Sequence, residues 1–119
     1  MTRSRVPEPR LSIRIDVAGG RIGPGKIALL EAIGEAGSIS GAARKMKMSY
    51  RKAWLLVEDM NHVLGQPVVT TEIGGDSGGG AALTAIGEQV IAIYHAIESG
   101  AHDAVDDEFK AVEKLVRRG

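Results

Sequence analysis

Apolar and polar positions alternate at the start of the chain. Leu11, Ile13, Ile15 and Val17 are interleaved with Ser12, Arg14 and Asp16, and a period of two predicts a strand with one buried face. Gly19-Gly20 then turns the chain. From Pro24, a residue suited to a first helical position, the period changes. Ile27, Leu30 and Ile33 recur at helical spacing beside Leu29, and Gly34 and Gly37 end that first helix near Ala36. Ser38 can cap a short second helix burying Ile39, Ala42, Ala43 and Met46. After a tight turn at Lys47-Met48, Ser49 caps a third helix. Its inward positions, Ala53, Val57, Met60 and Leu64, are spaced four, three and four apart. Gly65 and Pro67 stop it.

The β-branched run Val68-Val69-Thr70-Thr71 reads as a strand. The glycine-rich stretch from Gly74 to Gly80 reads as a mobile loop, and Ala81-Ala82-Leu83 as the returning strand of a hairpin. Thr84 then caps a long helix with Ile86, Val90, Ile93 and Ile97 on one face. Val105, Phe109, Val112 and Val116 repeat that spacing after Ser99-Gly100, a pair marking either a bend or a break into two helices. Acids open the last segment (Asp103, Asp106, Asp107, Glu108) and Arg117-Arg118 close it, as the helix dipole favours.

The expected fold is therefore mainly α with a small β-hairpin: a winged helix-turn-helix with a long C-terminal dimerisation helix. Three segments are expected. Residues 1–10 form a flexible basic arm, 11–84 the winged helix-turn-helix domain, and 85–119 a helical dimerisation segment. Within the last, Ile86, Val90, Ile93, Ile97, Val105, Phe109 and Val112 form the seam of a homodimer across a two-fold axis.

Composition narrows the function. The 119 residues suit one domain, and 44% hydrophobic content supplies a core. The chain has no cysteine, which excludes disulfides, thiolate metal sites and a cysteine nucleophile and fits a cytoplasmic location. No run reaches the ~20 apolar residues of a membrane span, and the first ten residues lack the apolar stretch of a signal peptide. Net charge is zero but unevenly placed. Residues 1–54 carry eleven Lys/Arg against four Asp/Glu, and residues 55–119 the reverse, four against eleven. No acid lies between Glu35 and Glu58, where Arg44, Lys45, Lys47, Arg51 and Lys52 cluster. Such asymmetry is expected of a half facing a polyanion, although a solvated basic face has the same pattern.

The chemistry concentrates between Gly37 and Trp54. Small residues at Ala42, Ala43 and Ala53 let two helices cross closely, and the capped third helix then offers its positive N-terminal end to phosphate. Ser49, Tyr50, Arg51 and Lys52 sit where a recognition helix meets base edges and backbone. Ser38, Arg44, Lys45 and Lys47 border them, and Gly75, Ser77, Gly78 and Gly79 form a wing tip that can lie close to a sugar-phosphate backbone. The expected partners are double-stranded DNA and a second copy of the chain, with no membrane. A winged helix that binds protein instead of DNA is the alternative.

At these residues the chain resembles the DNA-binding domain of the ModE-type molybdenum-dependent transcriptional regulators, with a LysR-like helix-turn-helix. The resemblance runs from about Leu11 to Tyr94. It rests on Gly37-Ser38-Ile39-Ser40, Ser49-Tyr50-Arg51-Lys52-Ala53-Trp54, Glu58-Asp59-Met60-Asn61 and the wing from Gly74-Gly75 through Gly78-Gly79-Gly80 to Thr84. It implies a homodimer on a two-fold-related operator near genes for molybdate uptake or molybdenum enzymes. The family's molybdate-binding domains have no counterpart in these 119 residues, so no cofactor is expected in this chain. Lys47 stands where such turns usually have glycine, and a left-handed lysine there costs roughly 1 kcal/mol.

Other readings are weaker. Gly75-Asp76-Ser77-Gly78-Gly79 matches the nucleophile segment of trypsin-like proteases, but His62, His95 and His102 have helical settings and no triad scaffold accompanies them, so no enzyme is expected. The wing glycines lack the spacing of a phosphate-cradling loop. The histidines lack metal-ligand spacing and read as surface or interface residues. Asp106-Asp107-Glu108 needs no cation to explain it. Trp54 reads as a packing residue beside the core.

Overall fold

The computed structural model describes residues 9–17, 19–72 and 79–118. Its elements are β1 (Ile15–Val17), β2 (Gly20–Ile22), α1 (Pro24–Ala36), α2 (Ile39–Lys45), α3 (Tyr50–Leu64), β3 (Val69–Thr71), β4 (Ala81–Leu83), α4 (Ala85–Ala104) and α5 (Asp106–Arg118). This is a helix-turn-helix followed by a two-stranded wing. The expected wing tip at Gly75, Ser77 and Gly78, and residues 1–8 of the expected basic arm, lie outside the described residues. Among the described residues no helix is long and apolar enough to cross a membrane.

α1 is the central helix. Pro24 starts it, and Gly37 ends it at φ 74° with its N–H on the Ile33 carbonyl. Ile27, Leu29, Leu30, Ala32 and Ile33 are all buried, so α1 packs on most sides. Ile39, Ala42 and Ala43 of α2 and Ala53, Val57 and Met60 of α3 close around it, with Val68 and Val69 beneath the wing. The helical periodicity of the sequence is met at each of these positions.

The expected strand over Leu11–Val17 is shorter than its alternation suggests. Only Ile15–Val17 pairs, antiparallel to Gly20–Ile22, in a register that sets Ile15 against Ile22. The ladder stops because Gly23 and Pro24 lead directly into α1, leaving no strand to face Leu11–Arg14. The Ile13 carbonyl is satisfied instead by the buried Tyr94 hydroxyl at 2.6 Å. Tyr94, Ile22 and Ile27 form a second small core tying the first hairpin to α1 and α4.

α4 runs unbroken through Ser99-Gly100, so no break falls where the sequence allowed one. A glycine within a helix costs about 1 kcal/mol relative to alanine, less than interrupting the hydrogen-bond ladder would. The chain breaks five residues later. There the Val105 N–H caps α4 on the Ala101 carbonyl at 3.1 Å, while its own carbonyl accepts from the Phe109 N–H at 2.8 Å. Asp106, Asp107 and Glu108 thereby occupy the first turn of α5, where the helix dipole favours acids.

The first half of α4, which starts at Ala85, packs onto the winged domain's core. A Cβ on Gly87 would lie 2.3 Å from the Val68 carbonyl oxygen, so glycine is what allows α4 to press against the wing. Ile86 and Val90, expected on the dimer seam, pack onto the domain's own core. Ile93 and Ile97 remain 57% and 41% exposed.

One polar clamp also joins α4 to α1. The His95 ring lies 2.7 Å from Glu31 by Nε2 and 3.1 Å from Glu98 by Nδ1. Only the protonated ring can donate to both, and the Glu31 hydrogen bond, followed by that to Glu98, raises its pKa above 6.5. A raised folded-state pKa stabilises below the unfolded value and is lost as pH rises through the folded one. The protein should therefore be more stable at pH 5.5 than at pH 8.5 through this group. The difference should be under about 1 kcal/mol, because the cluster is solvent-screened. Urea denaturation at both pH values checks this: His95→Gln should shrink the difference, and an unchanged difference would remove His95 as its source.

Candidate nucleic-acid interface

The turn between α2 and α3 is built by hydrogen bonds the local sequence supplies. The Ser38 hydroxyl accepts from the Gly41 N–H at 2.9 Å and caps α2. The Ser49 hydroxyl accepts from the Lys52 N–H at 3.0 Å and caps α3. Both serines are thus engaged as acceptors, each retaining its O–H as a donor. α2 ends with the Met48 N–H on the Ala43 carbonyl at 3.0 Å and the Lys47 N–H on the Arg44 carbonyl at 3.2 Å. This is a Schellman closure, with Lys47 in the left-handed position.

Lys47 has φ 58°, and among the described residues no other non-glycine has positive φ. The expected strain is present. Lys47→Gly should raise stability by about 0.5–1 kcal/mol, the left-handed cost being relieved and partly offset by glycine's unfolded-state entropy. That corresponds to roughly 4 °C in Tm. A lower melting temperature would show that the lysine side chain repays its strain.

The predicted cations are all exposed. Arg44, Lys45, Lys47, Arg51 and Lys52 are exposed along α2, the turn and the first turn of α3, with exposed Ser49 and Tyr50 among them. Among the described residues, Arg44, Lys47, Arg51 and Lys52 have no carboxylate within 4 Å. Lys45 differs. Its Nζ sits 2.6 Å from Glu35 and holds that carboxyl below its usual range through hydrogen bond and charge. Beside Lys52, a groove of about 800 Å³ runs to the first hairpin and is lined also by Arg14, Arg21 and Lys26. It extends the cationic surface, although Arg14 is paired with Asp16 at 2.9 Å and Lys26 lies 3.8 Å from Asp59.

The wing base is fixed against the α1–α2 corner. The Ala81 N–H donates to the Gly37 carbonyl at 2.8 Å and the Glu72 N–H to the Gly80 carbonyl at 2.9 Å. β3 and β4 pair with Val69 opposite Leu83 and Thr71 opposite Ala81. Gly79, with φ 100°, is the one residue of the expected wing tip among those described.

Trp54 is not the packing residue its sequence setting suggests. It is 42% exposed, and Leu55 and Tyr50 are 46% and 55% exposed. Leu55 lies out of phase with Ala53, Val57 and Met60, which places it opposite the core at 100° per residue. That phase was the available signal for a functional role. Beyond them Glu58 and Asp59 are exposed, so only the first two turns of α3 suit a polyanion.

No family model matches the chain. It is 52% identical over 86 residues to the molybdenum-pterin-binding protein MopB of Rhodobacter capsulatus, covering 72% of this chain and 32% of that protein. It is 39% identical over 97 residues to the molybdenum transport protein ModE of Azotobacter vinelandii, covering 82% and 36%. It is 36% identical over 88 residues to the DNA-binding transcriptional dual regulator ModE of Escherichia coli K12, covering 71% and 34%. The chain spans about a third of the length of these relatives. Among solved structures, the DNA-binding domain of CbnR in complex with DNA matches with a TM-score of 0.56 at 20% identity, over 74% of this chain and 95% of that one. Full-length CbnR with its target DNA matches at 0.54 and 20%, over 71% and 27%. These two establish the shared fold.

Proposed function

The chain belongs to the ModE-type transcriptional regulators through its winged helix-turn-helix segment, and from that premise we propose that it binds double-stranded DNA as a homodimer and regulates genes of molybdate transport or molybdenum metabolism. α3 enters the major groove with Tyr50, Arg51 and Lys52 leading. Ser38, Arg44, Lys45, Lys47 and Ser49 hold the flanking phosphates, and the wing reaches the neighbouring backbone. The two-fold axis of the dimer demands a palindromic operator.

One observation carries this reading. The capped N-terminal turn of α3 carries Arg51 and Lys52 exposed and, among the described residues, without a carboxylate within 4 Å. A helix N-terminus and free cations together suit phosphate and base edges. The exposed Tyr50, Trp54 and Leu55 are what favour the second reading, a protein-interaction module.

Salt separates the two. Each phosphate neutralised contributes about −0.9 to the slope of log K against log salt, so five contacts or more should give a slope steeper than about −4. Binding of a random-sequence 30-base-pair duplex that is weak and flat between 50 and 200 mM salt would favour the protein-binding module.

A further inference from the structure

We infer that Trp54 and Leu55, with Tyr50, form an apolar reading edge on α3 that recognises the C5 methyl groups of thymine. The inference rests on the DNA-binding reading and adds to it the class of base that the second turn of α3 selects.

Trp54 and Leu55 belong to neither core cluster and are nearly half exposed. A solvated recognition helix gains nothing from two large apolar side chains unless something covers them. Their position identifies the occupant. Trp54 follows Tyr50 by four residues and Leu55 follows Arg51 by four, so each stands one turn behind a leading residue on the same face. A helix inserted far enough for Arg51 to reach a base edge carries Trp54 and Leu55 into the same groove.

The major groove offers apolar side chains one partner. Guanine, adenine and cytosine present hydrogen-bonding groups there, whereas thymine adds a methyl group. Tryptophan or leucine pressed on a donor or acceptor desolvates it without replacement, which disfavours the other bases. On a methyl group the same contact is favourable. The Trp54 indole N–H and the Tyr50 hydroxyl remain available to thymine O4 or to phosphate. Glu58, the next residue on this face, ends the contact by repelling the backbone.

The test begins by enriching a random 24-base-pair duplex pool on the full chain. Each thymine of the selected duplex is then replaced by deoxyuridine, which deletes the methyl group alone. At one or more positions per half-site the affinity should fall about fourfold, the weight of one buried methyl group. Leu55→Ala and Trp54→Ala should each lose the thymine preference at the position that side chain reads, and the double variant should bind thymine and uracil duplexes alike. Leu55 lies outside the core, so its variant keeps the test valid if the tryptophan variant is poorly folded. Trp54 is the sole tryptophan, and acrylamide quenching of its fluorescence should fall further on the thymine duplex than on the uracil one. Selective binding indifferent to uracil at every position overturns the inference and leaves the DNA-binding reading standing. So does a Trp54→Ala protein with normal selectivity and an altered oligomeric state, which would make this face a protein contact. If no duplex is enriched at all, the DNA-binding reading fails and this inference with it.

Discussion

Ile93→Asp with Ile97→Asp should turn the proposed dimer into a monomer and lower affinity for a two-fold-related operator by a factor of roughly 10²–10⁴. The magnitude comes from valency: two linked half-site contacts gain about that much over one without any new contact. The substitutions are chosen from the structure. Ile86 and Val90 hold the domain together and would confound the test, whereas Ile93 and Ile97, on either side of Tyr94, the last buried position of α4, are 57% and 41% exposed. On α5, Val112, Leu115 and Val116 are also exposed, at 48%, 72% and 42%. Val105 and Phe109 lie at the junction, where the Phe109 ring packs 5.5 Å from that of His102. We propose that these exposed aliphatic side chains are what a second copy of the chain covers. Charges placed there leave the monomer's fold near its normal stability, so lost binding would be lost dimerisation. Light scattering and operator titration of the double variant check both halves. A native chain that is monomeric at micromolar concentration, or a double variant that stays dimeric, would move the interface elsewhere.

The helices were legible because burial and period agree in them. Ile27, Leu30 and Ile33 in α1, and Ala53, Val57 and Met60 in α3, are core residues at the spacing the sequence displays. Ser38, Ser49 and Thr84 cap helices through the hydrogen bonds their side chains suggest. Less legible was anything decided by what an element packs against. The return strand β2 is three residues with no alternation of its own and exists because β1, α3 and Tyr94 surround it. The stripe from Ile86 to Ile97 has one period but two fates, since Gly87 lets its first half press against Val68 while the second half runs past the core. Trp54 shows the converse: an aromatic beside core residues in sequence but a quarter-turn away from them on the helix. At the candidate interface, the exposed cations were readable as a cluster. The pairing of Lys45 with Glu35 was not, because ten residues separate them and only the packing of α2 against α1 brings them together.

Arg51→Ala should cost far more on operator DNA than on random duplex. Arg51 stands in the first turn of α3, exposed and, among the described residues, without a carboxylate within 4 Å. No internal ion pair has to be given up for it to engage a base. Its planar fork can bond guanine O6 and N7 together, a contact worth about 1–3 kcal/mol of discrimination, or roughly 5- to 150-fold. Arg44 is the appropriate contrast. Among the described residues it too has no carboxylate within 4 Å, but it lies at the end of α2, the helix that crosses the backbone in this motif. Arg44→Ala should therefore weaken operator and random DNA by the same factor and flatten the salt slope by about one. Lys45→Ala should do likewise, with a further loss common to both DNAs because it leaves Glu35 facing the phosphates unneutralised. The measurement is competition binding of the three variants against operator and random duplex at two salt concentrations. Arg51 loses its assigned role if its variant weakens both DNAs equally. Base reading then falls to Tyr50 and Lys52, whose side chains leave the same turn.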